Sequence, residues 1–335
     1  MDATRQSRDI NKGGSGSSSG IDEENAAIKA EIEKWMKKEE GKYMASTVTA
    51  ETDPWLRHTG WEEVLAGSKH GLVKTAAFAA TATAQEPELV RITESWERVL
   101  RRSLDTLTAV SNFKDILKWF AGPQMDNANQ RPFERLEKAS LSKYSQTFAR
   151  LLCYVMRTAP TSIDEETETG VRFTEAQLSC VSDVRVAVAV DDADEDELDS
   201  TVMALIISLL GQKIIQASQY HLPVMHYLAV RGVDPKTQGF YPSFRYTPYL
   251  AHMLWMIRLL VLESALSEQG WPRLGLPSRQ EFVEEKGVVA VAERIQAVRR
   301  EYLCEGSYTP ASSILSQLAF GQKQSRHHSA EANIY

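Results

Sequence analysis

Cysteine is nearly absent from this chain. There are three in 335 residues, Cys153, Cys180 and Cys304, far apart and odd in number. Such a set cannot pair fully within one chain, and with no CxxC pair it builds no zinc ribbon or finger. It suits a reducing compartment, and each thiol, in apolar or helical sequence, reads as a small buried hydrophobe. The sequence also lacks the phosphate-cradling GxxxxGK[ST] loop, GxGxxG at a strand–helix junction, the GxSxG elbow and HExxH. The run GGSGSSSG ending at Gly20 has neither the lysine nor the flanking strand of a P-loop. It reads as part of a flexible polar tail over residues 1–20, with no apolar core of a secretory leader. Positive charge is not in excess: Lys and Arg total 38 against 45 Asp and Glu, a net charge of -7. That opposes nucleic-acid binding by the whole surface and leaves room for a local basic stripe. Long uncharged apolar runs are missing too. Residues 202–210 are too few to span a bilayer, and residues 249–266 carry His252, Arg258 and Glu263. Both read as buried helices of a soluble core, so no membrane partner is expected.

Helical periodicity is abundant. Residues 21–45 are rich in Glu and Lys, with Ile28, Ile32, Trp35 and Met36 at helical spacing, which predicts an exposed amphipathic helix. Asp53-Pro54 starts a turn, and Thr59 is placed to cap a short helix beginning near Gly60. Leu89, Ile92, Trp96, Val99, Leu100, Leu104 and Leu107 form one apolar stripe, and Leu141, Tyr144, Phe148, Leu151, Leu152 and Val155 form another. In residues 173–190 the end VRVAVAV alternates like a strand, but Thr174 with Gln177 is a capping-box pair and predicts a helix. The acidic run 191–199 is placed to cap an apolar helix from Thr201 to about Ser218. Pro223 opens a short helix over residues 224–230, residues 232–248 read as a long ordered loop, and a central apolar helix covers 249–266. Ser278 and Glu281 form a second capping box, for a last long helix running to about Cys304. No βαβ alternation and no repeat is present, so the chain is expected to be all-α: an irregular multi-helix globular domain over residues 50–321, with polar tails at 1–20 and 322–335.

Few residues stand out as chemistry. Trp55 and Trp61 bracket Arg57-His58; they read as a stacking wedge or, preferably, as two indoles anchoring a loop to the core. His221 and His226 lie on either side of Pro223, which spoils the one-turn ligand pair that a helix supplies. The histidines in the tail RHHS read as solvated, and the acidic run lacks the turn glycine and spaced oxygens of a calcium loop. No metal and no cofactor is expected. One arrangement bears on function. Lys143, Arg150 and Arg157 are spaced by sevens and so share a helix face, with Arg131 and Arg135 just upstream. Such a row can track a phosphate backbone, the alternative being an ordinary solvated face.

Whole phrases of the chain carry a resemblance. They are DPWLRHTGWEEVLAG at Asp53, SNFKDILKWFAGPQMDNANQRPFERLEKASLSKYSQTFARLLCYVMRT at Ser111, SQYHLPVMHYLAVRGVDP at Ser218, FRYTPYLAHMLWMIRLLVLE at Phe244 and EYLCEGSYTPASSILSQLAFG at Glu301. Together they resemble the fungal orsellinic acid biosynthesis cluster protein D family, and the same region is similar to the N-terminal part of telomere-linked RecQ-type helicases. The resemblance runs from about Pro54 to Gly321. It implies a non-catalytic accessory or regulatory role in a fungal secondary-metabolite cluster. Two alternatives are a nucleic-acid-associated module of telomeric or mobile-element descent, and a helical interaction scaffold. An intracellular setting, the nucleus included, goes with these readings. Zinc-finger elements found upstream in members, and helicase motifs, have no counterpart here, and the chain looks like a shortened member. Shortening predicts that Ile314, Leu315 and Leu318 stand more exposed than usual and promote self-association.

Overall fold

The computed structural model describes residues 54–65, 81–122, 128–161, 170–190, 194–211, 222–234, 239–303 and 309–332, the backbone alone for Val288 and for 322–332. The expected tail 1–20, the helix 21–45, His221 and Cys304 lie outside these residues. Among the described residues there are twelve α-helices and no strands, so the chain is all-α. They are α1 (Pro54–Thr59), α2 (Trp61–Leu65), α3 (Pro87–Ala109), α4 (Lys114–Phe120), α5 (Lys138–Thr158), α6 (Glu175–Ala189), α7 (Glu195–Leu210), α8 (Pro223–Arg231), α9 (Ser243–Leu266), α10 (Arg279–Lys286), α11 (Val288–Tyr302) and α12 (Pro310–Ala332).

Local signals set many of the boundaries. Pro87 and Pro223 occupy the first turns of α3 and α8, where the missing N–H costs nothing. The Thr174–Gln177 capping box is made in full, so the alternating VRVAVAV belongs to α6 and not to a strand. Ser278 and Glu281 cap α10 in the same reciprocal way. The long helix expected to follow is instead broken in two at Gly287, whose φ of 84° only glycine adopts readily. At the N-terminal end Thr59 closes α1 and does not open α2. Its hydroxyl donates to the Leu56 carbonyl, and Gly60 at φ 64° separates the two helices. The acidic run overlaps α7: Asp194 accepts from the Asp196 amide, and Glu195, Asp196 and Glu197 fill the first turn, where they favour the helix dipole. Helix α9 starts at Ser243, earlier than its apolar run suggests, and takes Pro248 into its second turn. The polar segment from residue 322 is helical as far as Ala332.

Helix α9 is the axis of the packing, with α3, α5, α11 and α12 against it. Met253, Leu254, Met256, Ile257, Leu259 and Leu260 are buried along its length. By length and composition α9 could cross a membrane, yet 67% of that window is buried inside the protein. Each large apolar side chain so buried contributes about 1.5–3 kcal/mol. Trp96 of α3 stacks on Phe148 of α5 at 4.7 Å, and its indole N–H donates to Ser145 Oγ at 3.0 Å. Trp55 and Trp61 are both fully buried, edge to face at 5.6 Å, which makes them anchors of the core and not a wedge. Helix α12 lies against α9 and α1. Ile314 is therefore fully buried, and Leu315 and Leu318 pack half-buried against the core, contrary to the exposure expected of them.

Candidate functional site

Several of the arginines act as ties between helices. Arg98 of α3 forks onto Asp199 of α7, Nε at 3.0 Å from both oxygens and Nη2 at 2.8 Å from Oδ1, and Ser95 Oγ donates to the same Oδ1 at 2.7 Å. Arg91 of α3 donates to the carbonyls of Val188 and Val190 at the end of α6. Arg185 of α6 donates to those of Ala159 and Pro160 at the end of α5, at 2.8 and 3.0 Å. A guanidinium there satisfies carbonyls that the helix leaves open and meets the negative end of its dipole. Arg102 lies on the Trp271 indole at 3.6 Å, and the Trp271 N–H donates to the buried Glu263 at 2.8 Å.

The sevenfold row on α5 does not form one solvated face. Lys143 is exposed, Arg150 is half-buried, and Arg157 is held by Glu86 through Nε–Oε1 at 2.8 Å and Nη2–Oε2 at 2.6 Å. The reason is the position of α5: from Thr147 to Met156 nearly every side chain is buried, so the C-terminal half of the row points into protein. Arg131 and Arg135 are exposed on the non-helical segment before α5. Hydrogen bonds from the Asn129 and Phe133 amides to the carbonyls of Lys118 and Leu117 dock that segment on α4.

The Glu86 carboxyl is held below its ordinary range, first by the hydrogen bond from Arg157. A carboxylate whose folded pKa is depressed adds stability above its unfolded value, and this is lost as pH falls through the folded one. Glu86→Gln should therefore flatten the acid limb of the stability profile below about pH 5, measured by denaturant unfolding, while leaving its slope above neutrality unchanged.

The densest meeting of polar and aromatic groups is the seam between α5, α8 and α9, which sequence spacing does not reveal. The Tyr154 hydroxyl and His226 Nδ1 are 2.8 Å apart, and both residues are fully buried. Burial raises the Tyr154 pKa well above its ordinary value, so the hydroxyl stays protonated beside the ring nitrogen. Beside this pair the Tyr227 hydroxyl donates to the Thr147 carbonyl at 3.1 Å and lies 2.5 Å from the Tyr249 hydroxyl. With its one proton committed to Thr147, Tyr227 accepts from Tyr249. The Arg231 guanidinium carbon stands 5.4 Å from the Tyr249 ring centre. The hydroxyls of Tyr249 and Tyr227 and the Thr147 carbonyl are thus linked in order from α9 to α5. Tyr246 donates to the Leu228 carbonyl at 2.6 Å. Nearer the surface His252 stacks on Tyr144 at 4.0 Å, its pKa lowered by burial and then by Lys143.

Among the described residues no group of three or more His, Cys, Asp or Glu converges as a metal site. His226, expected to have little part in metal binding, is engaged by Tyr154. Cys153 is buried and Cys180 half-buried, and burial raises both thiols. No family model, no curated protein and no solved structure matches this chain.

Proposed function

We propose that the protein acts by holding other molecules and not by turnover, as a non-catalytic accessory or regulatory protein. The setting is the one implied by the resemblance, a fungal secondary-metabolite gene cluster. The observation that supports this reading is the use made of the reactive side chains. Asp199, Glu263 and His226 are buried and bound to partners on other helices or turns, so their chemistry serves cohesion. Such groups stiffen a scaffold and are poorly placed for substrate. The test is deletion of the gene with complementation. The cluster's product should fall and be restored by a His226→Phe variant that retains the fold. Turnover of a pathway intermediate by the purified protein alone would overturn the reading.

A second reading is a nucleic-acid-associated module, favoured by the exposure of Arg131, Arg135 and Lys143 around the start of α5. Contacts of this kind release counterions, so affinity should fall as salt rises, with a log–log slope of about -0.9 per phosphate contacted on duplex DNA. Replacing all three by Ala should shallow that slope by about two to three units. Arg157→Ala should leave it unchanged, because that cation is spent on Glu86. Binding indifferent to both salt and the triple substitution would remove this reading.

A further inference from the structure

A cleft of about 720 Å³ opens between α6, α7 and the end of α11. Small-molecule sites fall in the range of roughly 300–1,000 Å³. One side of the cleft is a single face of α7, where Ala204, Ile207, Ser208 and Gly211 follow at three- and four-residue steps. Three of the four are small, so this face has too little side chain to fill the space beside it. Leu274 and Leu276 form a second wall. Their loop is closed by bonds between the backbones of Trp271 and Leu276, at 2.7 and 3.1 Å, and Trp271 is fully buried, so that wall is preformed. Tyr302, at the end of α11, supplies an aromatic wall. It stands so near α7 that a Cβ at Gly211 would lie 3.2 Å from Tyr302 Cε1. Among the described residues that line the cleft, Glu301 alone is charged, and it is exposed. Its carboxylate reaches the Tyr302 hydroxyl: burial and then Glu301 raise that phenol, so it keeps its proton. Arg273, next to Leu274 in the chain, is drawn instead to the start of α7 by Asp194 and Glu197, at 2.8 and 3.4 Å.

We propose that this cleft binds a small organic cation with an apolar body, the body lying between α7 and the Leu274–Leu276 loop and the ammonium group against Glu301 and the Tyr302 ring. Ile207, Leu274 and Leu276 are each half-buried, and an apolar body would take their remaining surface out of water. A tyrosine face attracts a cation through its ring quadrupole, and the neighbouring carboxylate adds a charge of the right sign. An anion would meet Glu301 and find no cation on the lining to answer it. A neutral molecule gains the apolar part alone. The site uses none of the cations of the nucleic-acid reading and is independent of both readings above.

The test uses the full chain and three fluorescent probes of one shape: anthracene carrying a methylamine, a hydroxymethyl or a carboxylate group on its central ring. Titration followed by anthracene emission should show saturable binding of the amine. The amine should bind about fivefold more tightly than the alcohol, as one exposed ion pair allows, and the carboxylate should bind most weakly. Added salt should narrow the gap between amine and alcohol. Glu301→Gln should bring the amine to the level of the alcohol and leave the alcohol unchanged, because the apolar contacts remain. Gly211→Val and Ala204→Met fill the cleft from α7, and each should weaken the amine and the alcohol by about tenfold or more. Two filling variants are used so that one which fails to fold, seen by circular dichroism, leaves the other to decide. No saturable binding of the amine by the wild type, or amine binding kept at full strength in a folded filling variant, overturns the site. Equal affinity of the wild type for amine and alcohol overturns the assignment to a cation.

Discussion

Replacing Gly232 by valine should cost the protein about 3 kcal/mol or more, among the largest single-site losses in the molecule. The residue follows α8 with an ordinary φ of -72°, so backbone strain is not the reason. The reason is contact. A Cβ at this position would lie 2.4 Å from Cζ3 and 2.6 Å from Cε3 of Trp61. The indole cannot retreat: it is fully buried, 4.5 Å from the Tyr246 ring and 5.6 Å from Trp55. Rigid rings on several sides convert one added methyl group into a displacement of the α2–α8 contact. Gly232→Ala should do the same to a lesser degree. Denaturant midpoints give the order wild type, alanine, valine. A valine variant as stable as the wild type would mean that the Trp61 packing is looser than described.

Asp199→Ala should come next, at about 3 kcal/mol. Asp199 is 3% exposed and binds both Ser95 and Arg98. Its removal leaves a partly buried guanidinium and a fully buried hydroxyl without their acceptor, and unanswered polar groups cost more than the bond itself contributes. Arg98→Met should cost less than Asp199→Ala, because the guanidinium side chain is 23% exposed while the carboxylate side chain is 4% exposed. The double variant should be less destabilised than the sum of the singles, which a double-mutant cycle by urea unfolding measures. Additive losses would show that α3 and α7 are joined by apolar packing alone.

The features legible in the sequence are those that a short window contains. The two capping boxes, the prolines at the starts of α3 and α8, and the apolar stripes of α3 and α5 depend on residues within a turn or two of each other. Gly287 was equally local, but its positive φ hides in a sequence whose charge and periodicity continue through it. Pro248 misled in the opposite direction, since it reads as the end of a loop and stands instead in the second turn of α9. The cations were the hardest to read. Sevenfold spacing relates Lys143, Arg150 and Arg157 along α5, but the acceptor that claims Arg157 is 71 residues away. Tyr154 and His226 are 72 residues apart. No periodicity links them, and their meeting follows only from how α5 and α8 pack. The Ile314 expectation failed for the same reason, because the surface that covers α12 comes from α9 and α1.

The junction of α1 with α12 has a consequence for how the chain is made. His58 stacks on Phe320 at 4.3 Å and approaches Ser316, 258 positions later in the sequence. Gly321 passes so near that a Cβ there would lie 3.1 Å from the Trp55 ring. The first tryptophan of the domain therefore emerges from the ribosome long before the segment that shelters it exists. During that interval, at about 5–20 residues per second, the aromatic surface of α1 and α2 is open to solvent and to chaperones. Closure of so long a loop carries a large entropic barrier, so the last step of maturation should be slow and should be set by the arrival of α12.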